Sequence, residues 1–189
     1  MRHFYIVLNG IPKLLKKNVD HGEVSDEIAE LCSCIRAALF LSHDIRRNVK
    51  VHLVLLGERR DIVIDGRSVR YLSPDERSIC MLLIKLNERR SKTPWRGVYV
   101  NEFKSLQEVF PSDAVFLMPS EDGVDLRQVK NLKEVMVVVP LTSPSEYMEE
   151  LNHERIVFVK TWGRLHPSHL IIILNNQMDI AEEQEICTP

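Results

Sequence analysis

The chain predicts an α/β fold with a mostly parallel sheet flanked by helices, and three observations carry that expectation. The runs "VHLVLL" (51–56), "VMVVVP" (135–140) and "RIVFVK" (155–160) are apolar on both alternations, so both faces of each strand should be covered, as in a parallel sheet between helices. Helical patterns that open on Ser-Pro or acidic residues stand among them, the residues that satisfy the free N–H groups of a first turn. Strands and helices alternate along the sequence, as crossover connections require.

In order, "HFYIVLN" (3–9) reads as a strand and 11–26 as a loop or short basic segment. Val24, Ile28, Leu31, Ile35, Ala38 and Leu39 fall on one helical face, with Asp26, Glu27 and Glu30 on its first turns where the helix dipole favours negative charge. After the strand at 51–56, "DIVIDGRSVRYL" (61–72) predicts two short strands around an Asp65-Gly66 turn. "SPDERSICMLLIKLNERR" (73–90) predicts a helix capped by Ser73, with Pro74 at its first position and Glu76 closing a capping box. A strand at 97–102, a short helix at 104–110, strands at 114–119 and 135–140, a Ser143-capped helix at 143–151, a strand at 155–160 and a last helix at 167–183 complete the series. The Lys/Arg-rich "NERRSKTPWRG" (87–97) is the most loop-like segment and a candidate divide between two halves.

At 189 residues and 44% hydrophobic content, the chain is an ordinary globular one, read as a single domain over 1–189 with a flexible tail at 181–189. The net charge of −2 gives no global basic field, so any nucleic-acid surface must be a local patch. The run "LIIIL" (170–174) is too short to span a bilayer, and "MRHFYIVLNG" is strand-like rather than a signal peptide. A soluble, cytoplasmic protein is expected. Cys32, Cys34, Cys80 and Cys187 form no CxxC pair and read as structural thiols.

Glycine-rich phosphate loops, HExxH and GxSxG are absent from the sequence. His166 and His169, three apart, lack a nearby acidic or thiol partner in sequence, so capping or packing is expected of them and no metal site. Arg46, Arg47, Arg67 and Arg70, with Arg89, Arg90, Lys92 and Arg96, form basic clusters. Such clusters are usually solvated faces, but gathered on one side they would bind phosphates, with Trp95 and Tyr99 as stacking partners for a looped base. On pattern alone, "LSHDIRR" (41–47) is a charged elbow between a helix and a strand.

The segments "ALFLSH", "IRRNVKV", "YLSPDERS" and "LHPSHLIIILNNQMD" resemble, in order and spacing, the archaeal TrmY family of tRNA pseudouridine-54 N1-methyltransferases of the SPOUT superfamily. The resemblance implies a sheet whose C-terminal part, about 135–180, forms a deep trefoil knot. It implies S-adenosylmethionine as cofactor, tRNA as substrate and a homodimer with the site near the subunit interface. By position, Val139, Ser143, Thr161, Leu165 and Leu170 fall in the cofactor loops, and Arg46, Arg47 and Arg70 on the RNA side. Val139, Ser143 and Thr161 stand where the family carries glycines, and Leu170 where it carries cysteine. The resemblance names no catalytic base here. A second reading, a paralogue that dimerises and binds RNA without methyl transfer, follows from those glycine-poor loops.

Overall fold

The computed structural model describes residues 1–88, 93–129, 135–151, 155–160 and 165–186. Seven strands form one sheet: β1 (Arg2–Leu8), β2 (Val49–Leu55), β3 (Arg60–Asp65), β4 (Val98–Glu102), β5 (Val115–Ser120), β6 (Val135–Pro140) and β7 (Ile156–Lys160), in the spatial order β4-β3-β2-β1-β6-β5-β7. Strands β2, β1, β6, β5 and β7 run parallel, while β3 and β4 extend the sheet antiparallel. The helices are α1 (Lys16–His21), α2 (Asp26–Leu39), α3 (Glu76–Asn87) and α4 (Pro167–Ile186). Among the described residues no helix is long and apolar enough to cross a membrane.

Alternation along β1 divides the core in two. Phe4, Ile6 and Leu8 join Leu53, Ile62, Val137 and Val139 under α2, α3 and α4, with Ile35, Leu83 and Ile171 among their neighbours. Tyr5 and Val7 face the other side, packed with Val54, Val138, Phe103, Phe110 and Tyr147. That second face is covered by 3-10 turns rather than by the helices expected at 104–110 and 143–151. The turns are Leu106–Glu108, Pro144–Glu146 and Met148–Glu150. Ser143 provides no side-chain cap, its hydroxyl lying 2.8 Å from that of Ser145.

Other boundaries differ for local reasons. The cap of α3 is Asp75, not Ser73: its Oδ1 accepts from Ser78 N at 2.8 Å, and a carboxylate suits a helix N-terminus better than a neutral hydroxyl. Ser73 instead hydrogen-bonds to Asp75. No second strand follows Asp65. Its Oδ1 accepts from Arg67 N at 2.9 Å, an Asx turn that leads the chain out of the sheet, and the hairpin joins β2 to β3 one step earlier. β4 pairs with β3, so 87–97 connects parts of one continuous sheet. β7, expected to be covered on both faces, is an edge strand whose Phe158 is 39% exposed. Cys32, Cys34 and Cys80 are buried free thiols.

Candidate functional site

The ligand side of a doubly wound sheet is found where neighbouring strands lead their connections in opposite directions. Here β1 and β6 are adjacent, and the chain runs from β1 to β2 on one side and from β6 to β7 on the other. The carboxyl end of β6 continues through Leu141, whose N–H donates to Val7 O at 2.8 Å. Thr142 follows, its hydroxyl donating to Glu146 Oε1 at 2.8 Å.

α4 crosses back from the β7 edge to lie against α2 and β6. His166 shapes its first turn, with Nδ1 2.8 Å from the Ser168 hydroxyl and its carbonyl accepting from His169 N at 2.8 Å. Farther along, the helix is fastened to the elbow. Arg46 donates to both oxygens of Asp179, at 2.8 and 2.7 Å. Arg2, only 2% exposed, lies 2.7 Å from Asp179 Oδ1 and 3.0 Å from Glu182, and donates to Asn175 Oδ1 at 3.1 Å. Asn175 donates to the Ala37 carbonyl at 3.1 Å. Burial opposes ionisation of Asp179, yet the hydrogen bonds from Arg46 and Arg2 hold its carboxyl below the usual range.

Around this network a groove of about 520 Å³ opens between α2, the elbow and α4, bounded by Arg36, Phe40, Arg46, Ser168, His169 and Asp179. It joins two sequence regions that the motifs left far apart, the elbow at 41–47 and the start of the last helix.

Of the residues expected to bind the cofactor, Val139 and Leu170 are buried in one cluster against which Leu141 packs. Leu165 is half-buried and Ser143 exposed. Thr161 lies outside the described residues, as do Arg89, Arg90 and Lys92. Of the expected RNA contacts, Arg46 is committed to Asp179. Arg47 is half-exposed, bonded to Asp44 Oδ1 and the Gly66 carbonyl, each at 3.1 Å. Arg70 is exposed and donates to the Val69 carbonyl at 2.8 Å. Trp95 is not free to stack a base: Lys85 Nζ lies 4.5 Å from its ring centre and its Nε1 donates to the Arg70 carbonyl at 2.7 Å. Tyr99 is 43% exposed on β4. Among the described residues no group of three or more His, Cys, Asp or Glu gathers as a metal site would.

Arg2, Asn175 and Asp179 were missed as a unit. Asn175 and Asp179 sit four apart, one helical turn, within "NNQMD"; the spacing carried the signal, but nothing in sequence named Arg2, 173 residues before Asn175, as their partner.

These features define an α/β protein with a ligand-side switch point at the carboxyl ends of β1 and β6 and a separate polar groove between α2, the elbow and α4, toward the amino ends of β1 and β2. The family model described as "Putative SAM-dependent RNA methyltransferase" matches residues 21–183, and the chain belongs to that family. A tRNA (pseudouridine(54)-N(1))-methyltransferase from Methanococcoides burtonii is 36% identical over 165 residues, covering 79% of this chain and 81% of that one. The enzyme of the same name from Methanocella arvoryzae is 33% identical over 198 residues, covering 95% and 99%. The crystal structure of Archaeoglobus fulgidus Nep1 bound to S-adenosylhomocysteine shares the fold, with a TM-score of 0.60 at 11% identity and 94% of each chain covered.

The chemistry of the described loops fits S-adenosylmethionine. Leu141 and Leu165, both half-buried, offer apolar walls for a purine, and Thr142 and Glu146 offer a hydroxyl and the carboxylate charge that suits a sulfonium.

Proposed function

We propose that this protein transfers a methyl group from S-adenosylmethionine to N1 of pseudouridine 54 in tRNA. The observation that carries the reading is the switch point at the carboxyl ends of β1 and β6, where Leu141, Thr142 and Glu146 follow β6; the groove between the elbow and α4 is a second surface of the same chain. The cofactor supplies an electrophilic methyl group. The chain's own residues would hold it: Leu141, Thr142, Ser143 and Leu165 on its loops, with Val139 and Leu170 fixing those loops from behind. Arg47 and Arg70 take RNA phosphates, and Arg46 holds the elbow against α4 so that both sides keep register. Pseudouridine N1 must lose its proton as it attacks the methyl carbon in line, so most of the rate comes from positioning.

We further propose that the C-terminal part is knotted and that the protein is a homodimer. The loop after β5 runs alongside the end of β7 in a parallel bridge, with Val124 N donating to Phe158 O and Lys160 N to Val124 O, both at 2.8 Å, the close packing of loop and strand that a threaded chain needs. Ile172 and Ile180 lie 53% and 39% exposed on α4, which supports a partner subunit over the groove. The test is methyl transfer from labelled cofactor to tRNA with and without pseudouridine at position 54, followed by nuclease digestion and mass spectrometry. Methylated pseudouridine only in the first tRNA is expected. RNA binding without transfer, and no heat of S-adenosylmethionine binding, would instead indicate a non-catalytic RNA-binding paralogue.

A further inference from the structure

Tyr71 occupies a conformation that its own burial does not repay. Its backbone lies in the left-handed region, at φ 60°, where a bulky side chain is a rarity and glycine or asparagine is usual. The ring is nevertheless 83% exposed, so no core contact compensates for the strain. Strain of this kind persists where surrounding structure enforces it, and it gathers at functional positions.

The surroundings enforce it through three loops locked together. Arg47 Nη1 donates to the Gly66 carbonyl at 3.1 Å, and a Cβ on Gly66 would lie 2.1 Å from the Arg46 carbonyl oxygen. Arg70 N donates to Arg96 O at 3.3 Å. Gly97, at φ 78°, sits so close that a Cβ would lie 2.3 Å from Val69 N. Trp95, bonded to the Arg70 carbonyl and covered by Lys85, ties a third segment to these loops. Arg67, Arg70 and Arg96 are exposed on the same joined loops as Tyr71, and the Arg70 guanidinium bonds carbonyls of Arg67 and Val69 rather than a carboxylate.

We infer that Tyr71 is a stacking platform for an unstacked base of the RNA substrate, displayed by the locked loops at the centre of a guanidinium rim. Guanidinium groups attract phosphates without reading sequence, and a rigid exposed aromatic among them supplies the apolar face that a splayed base needs. The inference rests on the RNA-methyltransferase reading and adds to it a residue that grips the loop of the RNA.

The experiment measures binding of a pseudouridine-containing T-arm stem-loop at several salt concentrations, with melting curves of each variant. Tyr71→Ala should weaken binding by about 5- to 150-fold, the range for losing one stacked base, while leaving the salt slope unchanged. Tyr71→Phe should retain wild-type affinity. Tyr71→Gly should bind as weakly as Tyr71→Ala while its melting temperature stays level or rises, by up to about 4 °C as strain is relieved. Unchanged RNA affinity in Tyr71→Ala overturns the inference while leaving the methyltransferase reading standing. A melting temperature that falls in Tyr71→Gly also overturns it, since Tyr71 would then serve the fold. A wild-type protein with no affinity for the stem-loop overturns both.

Discussion

Removing either end of the Arg46–Asp179 pair should cost stability unequally, and the inequality can be worked from the geometry. Arg46→Ala deletes two charge-assisted hydrogen bonds at a side chain 14% exposed. Asp179 keeps Arg2 as a partner, so the loss should be about 1.5–3 kcal/mol. Asp179→Ala takes the carboxylate from two guanidinium groups at once and leaves Arg2, 2% exposed, with Glu182 and Asn175 as its side-chain partners among the described residues. Stranding a buried charge should raise the cost to about 3–5 kcal/mol. At this chain length each kcal/mol moves the melting temperature by roughly 2–4 °C, so thermal and urea denaturation separate the two variants. The double variant closes the cycle. Arg46→Ala should cost much less once Asp179 is gone, giving a coupling of at least about 1 kcal/mol. Additive losses, or an Arg46→Ala protein as stable as wild type, would refute the view that this pair fastens α4 to the elbow.

Three further outcomes follow. Arg47→Ala and Arg70→Ala should each weaken tRNA binding across sequences and lower the salt slope by about 1, seen in filter binding over a salt series; an unchanged slope removes that residue from the interface. Burial, His52 and Lys50 push the His3 imidazole down to about 4, so between that value and the ordinary value near 6.5 the unfolded chain binds more protons. Stability therefore rises with pH through this window and falls as pH drops across it, and His3→Gln should flatten the melting-temperature profile there; an unaltered profile would clear His3 of the effect. Gly66→Ala drives a methyl group into the Arg46 and Val49 carbonyls, at 2.1 and 2.8 Å, and should cost at least about 2 kcal/mol; wild-type urea unfolding would contradict that close approach.

Much of the fold was legible because burial writes itself into periodicity. β1, β2, β6 and α2 follow from apolar runs and an acidic first turn, all carried by local residues. The coverage of the second sheet face was not legible: "KSLQEVF" and "SPSEYMEEL" have helical spacing, but the chain there forms only single 3-10 turns. Edge position also escaped notice, since "RIVFVK" carries the composition of a central strand while Phe158 lies open. At the site, the charge of Arg46 was visible and its use was not. A guanidinium reads alike in sequence whether it meets a phosphate or a carboxylate from the far end of the chain. Tyr71 was hidden for a related reason, because a backbone torsion leaves no trace in residue type unless glycine occupies it.

The central place of β1 has a consequence during synthesis. Its partner β2 follows closely, but β6, which pairs from His3↔Met136 to Val7↔Pro140, leaves the ribosome more than a hundred residues later. At about 5–20 residues per second, the other edge of β1 stays open for roughly 6 to 25 s in each molecule made. An apolar strand with an open edge invites pairing with a neighbour. The nascent chain must therefore spend that interval shielded, and refolding from denaturant should succeed best at high dilution, where β6 of the same chain finds the edge before another molecule does.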